Sequence, residues 1–210
     1  MTAVRICFFG DSLVLGTNDH DFQGWPGRIA HREVQAGHDV SVYNLGIRAD
    51  TSEMIAPRWR LESEARLPDV HNGALVFSFG TNDMAIENGA IRVPLEKSCS
   101  IARDMMTEAN AWKPTLWIGL PPIDDGRQPF RAGSVEYDFA NDRSSRLNDA
   151  YAEIANELSI PYFDLFTVLS NDSNWLDAFS GDDGVHPLHF GYAQIAERIT
   201  GWDAWRSWFD

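Results

Sequence analysis

The chain has 210 residues, 44 % apolar and 23 % charged, with twelve Phe, eight Trp and five Tyr. That balance suits a single globular domain over residues 1–210 with one core, and it argues against disorder. The formal net charge of −14 repels phosphate backbones and anionic lipid, so nucleic acid is not an expected partner.

The first residues, Met1-Thr2-Ala3-Val4-Arg5-Ile6, run straight into an apolar strand over residues 4–9 and do not resemble a signal peptide. That strand ends at Gly10. Pro26 suits the first position of a helix that continues through residues 28–35 and stops at Gly37. A second strand covers residues 40–45 and ends at Gly46. Asp50 or Thr51 caps a helix that runs toward Leu67, with a break at Pro57. A third strand, residues 74–79, ends at Gly80. Leu95, Cys99, Ala102, Met106 and Ala109 recur at helical spacing, which predicts a helix over 94–112. A fourth strand, 115–120, stops at Pro121-Pro122. Leu147, Tyr151, Ile154 and Leu158 mark another helix, and residues 161–163 a short fifth strand. Tyr192, Ile195, Ala196 and Ile199 mark the last helix, with Gly201 after it.

Strands that are apolar throughout, alternating with helices, imply a parallel sheet covered on both faces. Right-handed crossovers then give a three-layer α/β/α, doubly wound fold with five strands. The least regular stretches, 124–133 and 171–183, are expected to shape a substrate site. Two cysteines, Cys7 and Cys99, are too few for a disulfide framework and read as buried thiols. The longest apolar runs, such as 74–77, are far too short to span a membrane. A soluble, cytoplasmic protein is the expectation.

In an open parallel sheet, ligands bind beyond the carboxyl ends of the strands. Strand one leads to Gly10-Asp11-Ser12, strand two to Asn44-Leu45-Gly46, and strand three to Gly80-Thr81-Asn82-Asp83. A fourth cluster, Asp182-Asp183-Gly184-Val185-His186-Pro187, precedes the last helix. These supply the parts of acyl transfer. A serine hydroxyl is a weak nucleophile until a base takes its proton, and His186 suits that task for Ser12. Asp183, three residues before His186, is placed to orient the imidazole and stabilise its protonated form. The amides of Ser12 and Gly46 and the side chain of Asn82 are candidate donors to a tetrahedral oxyanion.

The four blocks resemble the GDSL-type (SGNH) hydrolases, a family named for a Ser, a Gly, an Asn and a His in four motifs. Here these correspond to Ser12, Gly46, Asn82 and His186. The resemblance runs from residue 8 to about residue 196, and the last block has the family's Asp-x-x-His-Pro form. It implies a flavodoxin-like three-layer fold and ester or thioester hydrolysis with no metal or cofactor. It also implies a small-molecule ester as substrate. The first block departs from common versions in placing Leu15-Gly16 and the polar stretch 17–23 after Ser12-Leu13-Val14, which leaves the pocket beside Ser12 undefined.

Each of these residues has a competing assignment. A lone serine after a strand reads as a helix cap, Gly46 as a turn glycine, and Asn82 as an Asx turn. His189 is the rival to His186, Asp164 and Asp182 are the rivals to Asp183, and His20, His31, His38 and His71 read as surface residues. Asp11 reads as a structural acceptor of loop amides, and Asp83 is assigned no chemistry. Trp202, Trp205 and Trp208 read as a terminal turn packed back on the domain, with a homodimer interface as the competing view. Trp25, Pro121, Pro122, Phe130, Trp175 and Phe179 are acyl-pocket candidates. An α/β-hydrolase esterase needs a Gly-x-Ser-x-Gly elbow, which the sequence lacks. A flavodoxin-like phosphate binder would meet the repelling Asp11 after strand one. A carbohydrate O-acetylesterase, an acyltransferase and a non-catalytic acyl-binding relative remain alternatives on the same residues.

Overall fold

The computed structural model describes residues 3–179 and 183–209. Five parallel strands form the central sheet: β1 (Ala3–Gly10), β2 (Asp39–Gly46), β3 (Asn72–Ser78), β6 (Thr115–Ile118) and β9 (Tyr162–Phe163), in the order β2-β1-β3-β6-β9. The side chains of each inner strand alternate between two separate cores, as the two-residue repeat of a strand requires. Ile6, Phe8, Val76 and Ile118 enter one. Cys7, Phe9, Phe77 and Trp117 enter the other.

The first core is closed by α2 (Gly24–Gln35), α7 (Leu165–Ser170), α8 (His189–Thr200) and α9 (Asp203–Arg206), which contribute Trp25, Ile29, Leu169, Tyr192, Ile195 and Trp205. The second is closed by α3 (Ser52–Ile55), α4 (Trp59–Glu64), α5 (Leu95–Trp112) and α6 (Asn141–Glu157). The expected three-layer, doubly wound architecture is the one observed. No helix among the described residues is long and apolar enough to cross a membrane.

Several local expectations need correction. Pro26 is the third residue of α2, not the first. The position tolerates proline because the first four helical N–H groups have no partner within the helix. The chain does break between α3 and α4 at Pro57, but neither Asp50 nor Thr51 caps α3 with its side chain. The buried carboxylate of Asp83 accepts the Ser52 N–H instead, at 2.8 Å. Cys7 is buried and Cys99 only half-buried. His38 is half-buried against the Phe209 ring and lies 3.7 Å from Glu33.

A second sheet has no counterpart in the sequence reading. Strands β4 (Ile86–Glu87), β5 (Ala90–Ile91), β7 (Phe130–Ala132) and β8 (Val135–Asp138) pair antiparallel in the order β5-β4-β8-β7. Part of the stretch read as an irregular loop, 124–133, is therefore one arm of a hairpin. At the other end of the chain, Trp205 is fully buried and its indole N–H donates to Glu33 at 2.8 Å. Trp202 and Trp208 pack on the same core. The Trp-rich segment thus folds back on its own domain, and these rings, on which the homodimer interface rested, are engaged within the chain.

Candidate active site

Strand β1 delivers Asp11 and Ser12 at its carboxyl end, where Asp11 is the N-cap of the four-residue helix α1 (Ser12–Leu15). The Asp11 carboxylate accepts the Leu13 N–H at 2.9 Å and the Asn82 side-chain N–H at 3.1 Å. Ser12 is the first helical residue, so its own N–H has no intrahelical partner. The cap is Asp11 and not Ser12, which leaves the serine hydroxyl for other work.

That hydroxyl meets the loop before α8. Ser12 Oγ lies 2.7 Å from His186 Nε2, and His186 Nδ1 lies 2.6 Å from Asp183 Oδ2. The other Asp183 oxygen accepts the backbone N–H groups of Val185 and His186, at 2.9 and 3.0 Å. A carboxylate only accepts, so the imidazole proton belongs on Nδ1 and Nε2 is left to accept from the serine. Burial pushes the Asp183 carboxyl up, but the His186 ring and the two backbone donors outweigh it and hold the group at about 2. Asp183 therefore stays ionised beside His186 throughout the neutral range. Gln128 donates to the Asp183 carbonyl at 2.6 Å, and Asp124 N–H to the Gly184 carbonyl at 2.8 Å. The 124–128 segment thus braces the Asp183–His186 turn.

The rival residues lie elsewhere. His189 is exposed at the start of α8. Asp164 caps α7 and accepts from Thr167 and Asn148. Asp182 lies outside the described residues. Asp11 is fully buried, and burial raises its carboxyl to about 6 against the pull of Leu13, His186 and Asn82. Asp83, also raised by burial, accepts from Ser98 Oγ at 2.5 Å as well as from Ser52. Both acids act as acceptors that shape their loops.

A cleft of about 210 Å³ opens over Ser12 and His186. Asn82 and Ala49 line it, whereas Gly46 does not. The structure corrects the Gly46 expectation in two ways. Its N–H donates to Asn44 Oδ1 at 3.1 Å. A Cβ at Gly46 would stand 2.4 Å from the Leu15 nitrogen and 2.7 Å from the Asp11 carbonyl, so the glycine is required for close packing of α1 on β2. The residues of this loop that reach the cleft are Arg48 and Ala49, the latter in a left-handed conformation at φ 65°. Its N–H has no partner among the described residues. A non-glycine residue held there costs on the order of 1–3 kcal/mol. The only sequence signal for it was proximity to the Asn44-Leu45-Gly46 block, since alanine does not advertise a positive φ.

Two arginines that the sequence reading did not single out reinforce this corner. Arg58 pairs with Asp50 at 2.9 Å and donates to the Gly10 carbonyl at 3.2 Å. Arg92 donates to Asn82 Oδ1 at 3.1 Å and to the Ala49 carbonyl at 2.8 Å. The far wall of the cleft is aromatic, formed by Phe130, Tyr137 and Phe139 of the small-sheet region. Of the six acyl-pocket candidates only Phe130 lines the cleft. Trp25, Trp175 and Phe179 are core residues, and the Trp175 indole donates to the Pro122 carbonyl at 2.9 Å.

The fold is shared with proteins of known structure. The model of the GDSL-like lipase/acylhydrolase family matches residues 8–194. A lipase/acylhydrolase from Enterococcus faecalis is similar with a TM-score of 0.74 and 25 % identity, covering 96 % of each chain. Axe2, an acetylxylan esterase from Geobacillus stearothermophilus, aligns over 98 % of both chains at 18 % identity and a TM-score of 0.72. The psychrotrophic esterase EstA from Pseudoalteromonas sp. aligns over 98 % of both chains at 16 % identity and a TM-score of 0.69. No curated protein matches the chain.

Proposed function

The chain belongs to the GDSL-like lipase/acylhydrolase family, and from that premise we propose that it hydrolyses small carboxylic esters through an acyl-enzyme on Ser12. The observation that carries this reading is the unbroken relay from Asp183 through His186 to Ser12, with contacts of 2.6 and 2.7 Å.

Ser12 Oγ attacks the acyl carbon while His186 Nε2 takes its proton. Charge develops on the carbonyl oxygen as it becomes tetrahedral. The Ser12 and Ala49 amides and Asn82 Nδ2 are the donors we assign to it, with Ala49 taking the place expected of Gly46. Asn82 Nδ2 carries two hydrogens, one engaged by Asp11 and one left for the oxyanion. Collapse breaks the bond to the leaving oxygen, which takes the proton from His186. Water then loses a proton to His186 and attacks the acyl-serine; the bond to Ser12 Oγ breaks, that oxygen takes the proton back from His186, and the carboxylic acid leaves. Asp183 stabilises the imidazolium in both halves.

The cleft of about 210 Å³ is small against the roughly 300–1,000 Å³ typical of pockets for drug-sized ligands. This favours a short acyl group, acetyl above all. The test is labelling with a fluorophosphonate probe followed by peptide mapping, together with hydrolysis of p-nitrophenyl acetate. Label is expected on Ser12 alone, and Ser12→Ala is expected to lose roughly a millionfold in kcat. Label on another residue, or equal hydrolysis by Ser12→Ala, would sink the mechanism.

A further inference from the structure

We propose that Arg92 is a positioning residue that holds the oxyanion donors of Ala49 and Asn82 in register and ties the small antiparallel sheet to the reaction at Ser12. The inference rests on the reading of Ser12 and its oxyanion site given above.

Arg92 directly follows β5, and the fold of its loop fixes where it can reach. Its backbone N–H donates to the Ala85 carbonyl at 3.0 Å, and the next residue, Val93, donates to the Asp83 carbonyl at 3.0 Å. The segment thus returns beside the strand-three block that carries Asn82. The Arg92 side chain is only 11 % exposed. Its Nε pairs with Glu87 at 3.1 Å and its guanidinium lies 6.0 Å from the centre of the Tyr137 ring. With the stem held by the small sheet, the two terminal nitrogens fork across the site, one to Asn82 Oδ1 and the other to the Ala49 carbonyl.

Each contact removes a specific freedom. A carboxamide is nearly the same shape after a half-turn, and a turned Asn82 would aim oxygen instead of nitrogen at the developing oxyanion. Arg92 can only donate and the Asp11 carboxylate accepts, so together they fix the oxygen toward Arg92 and the nitrogen toward Asp11. A guanidinium keeps its charge at every working pH, so the Arg92 end of this lock does not loosen on titration. Ala49 lines the cleft in a left-handed backbone conformation that is unfavourable for an alanine. A charged hydrogen bond to its carbonyl supports that conformation from the far side of the residue. Arg92 does not line the cleft and touches neither nucleophile nor base, so its effect passes through the two donors.

The test measures p-nitrophenyl acetate hydrolysis per reactive serine, with reactive Ser12 counted by end-point fluorophosphonate labelling. Arg92→Met keeps the aliphatic stem and loses every donor. It is expected to lower kcat per labelled serine by ~10- to 100-fold, with KM within about twofold. Arg92→Lys keeps the charge on a single donor nitrogen, which cannot fork to both partners as a guanidinium does, and is expected to recover part of that loss. A merely structural role would lower the number of labelled serines and leave the rate of each unchanged, and that result overturns the proposal. So does a wild-type kcat per labelled serine in Arg92→Met. Label on a residue other than Ser12 in the wild-type protein would instead remove the reading on which the proposal depends.

Discussion

The two sheets of this molecule contribute in different ways. The parallel sheet is buried on both faces, its inner strands alternate strictly between two cores, and its strand ends carry Ser12 and Asn82. The antiparallel sheet is made of strands two to four residues long, with mostly half-buried or exposed side chains. It lends the site an aromatic wall and, just past β5, Arg92. The large sheet holds Ser12 and Asn82 at its strand ends, while Asp183 and His186 come from the loop before α8. The small one lines the cleft above Ser12, and just past β5 the Arg92 guanidinium reaches Asn82 and Ala49. Rigid elements hold side-chain geometry better than loops do, and the loop that carries Asp183 and His186 is itself braced by the Gln128 and Asp124 hydrogen bonds.

Substitutions in the proposed relay and among the proposed oxyanion donors should be the most damaging. Asp183→Asn leaves the shape but places an amide donor or a weaker acceptor against His186 Nδ1, so the tautomer that accepts from Ser12 is no longer fixed. A fall in kcat of about 10⁴-fold is expected, with KM little changed. Steady-state kinetics on p-nitrophenyl acetate checks this, and a loss below tenfold would mean that Asp183 is not the orienting acid. Asn82→Ala removes one oxyanion donor and should cost ~10²–10³ in kcat. It also leaves Asp11 and Arg92 each without one partner, so thermal denaturation should be followed alongside. An unchanged kcat would place the oxyanion elsewhere.

The same division explains what could be read from the sequence. The parallel strands were legible because burial makes them largely apolar runs such as Val4 to Phe9, in which Arg5 is the one charge, and the first three are each followed by a glycine, Gly10, Gly46 and Gly80. The Ser12, Asn82, Asp183 and His186 positions were legible because each stands in a short block at a strand or helix end. The antiparallel strands were not legible. Ile86-Glu87 and Ala90-Ile91 are too short to show a period, and the strand that joins this pair to the rest of the sheet, β8, lies about fifty residues beyond β4. The Gly46 amide, a candidate oxyanion donor in the sequence, is instead engaged by Asn44, and the space its missing side chain leaves is filled by the backbone of α1. Ala49 was passed over because a positive φ depends on the surrounding loop and not on the residue itself. Arg58 and Arg92 look like surface charges in a sequence, and only the tertiary structure shows that their donors face backbone carbonyls.

The aromatic wall is where the difference between the sheets can be measured most finely. Phe130 and Phe139 stack with ring planes 10° apart and centres 5.9 Å apart, and Tyr137 stacks on Phe130 at 5.7 Å. No hydrogen bond links any of these rings to the Ser12–His186–Asp183 relay, so their influence should fall on which ester fits and not on how it reacts. Phe130→Ala removes the half-buried ring at the cleft and enlarges the space above Ser12. The ratio of kcat/KM for p-nitrophenyl butanoate over acetate should rise by roughly tenfold, the scale expected for a few methylenes in an apolar pocket. The kcat for acetate should stay within about threefold, because the oxyanion donors and the relay are untouched. If acetate turnover instead falls as far as in Asn82→Ala, the wall is coupled to the donors. The natural route for that coupling is the Tyr137 ring, which lies between Phe130 and the Arg92 guanidinium.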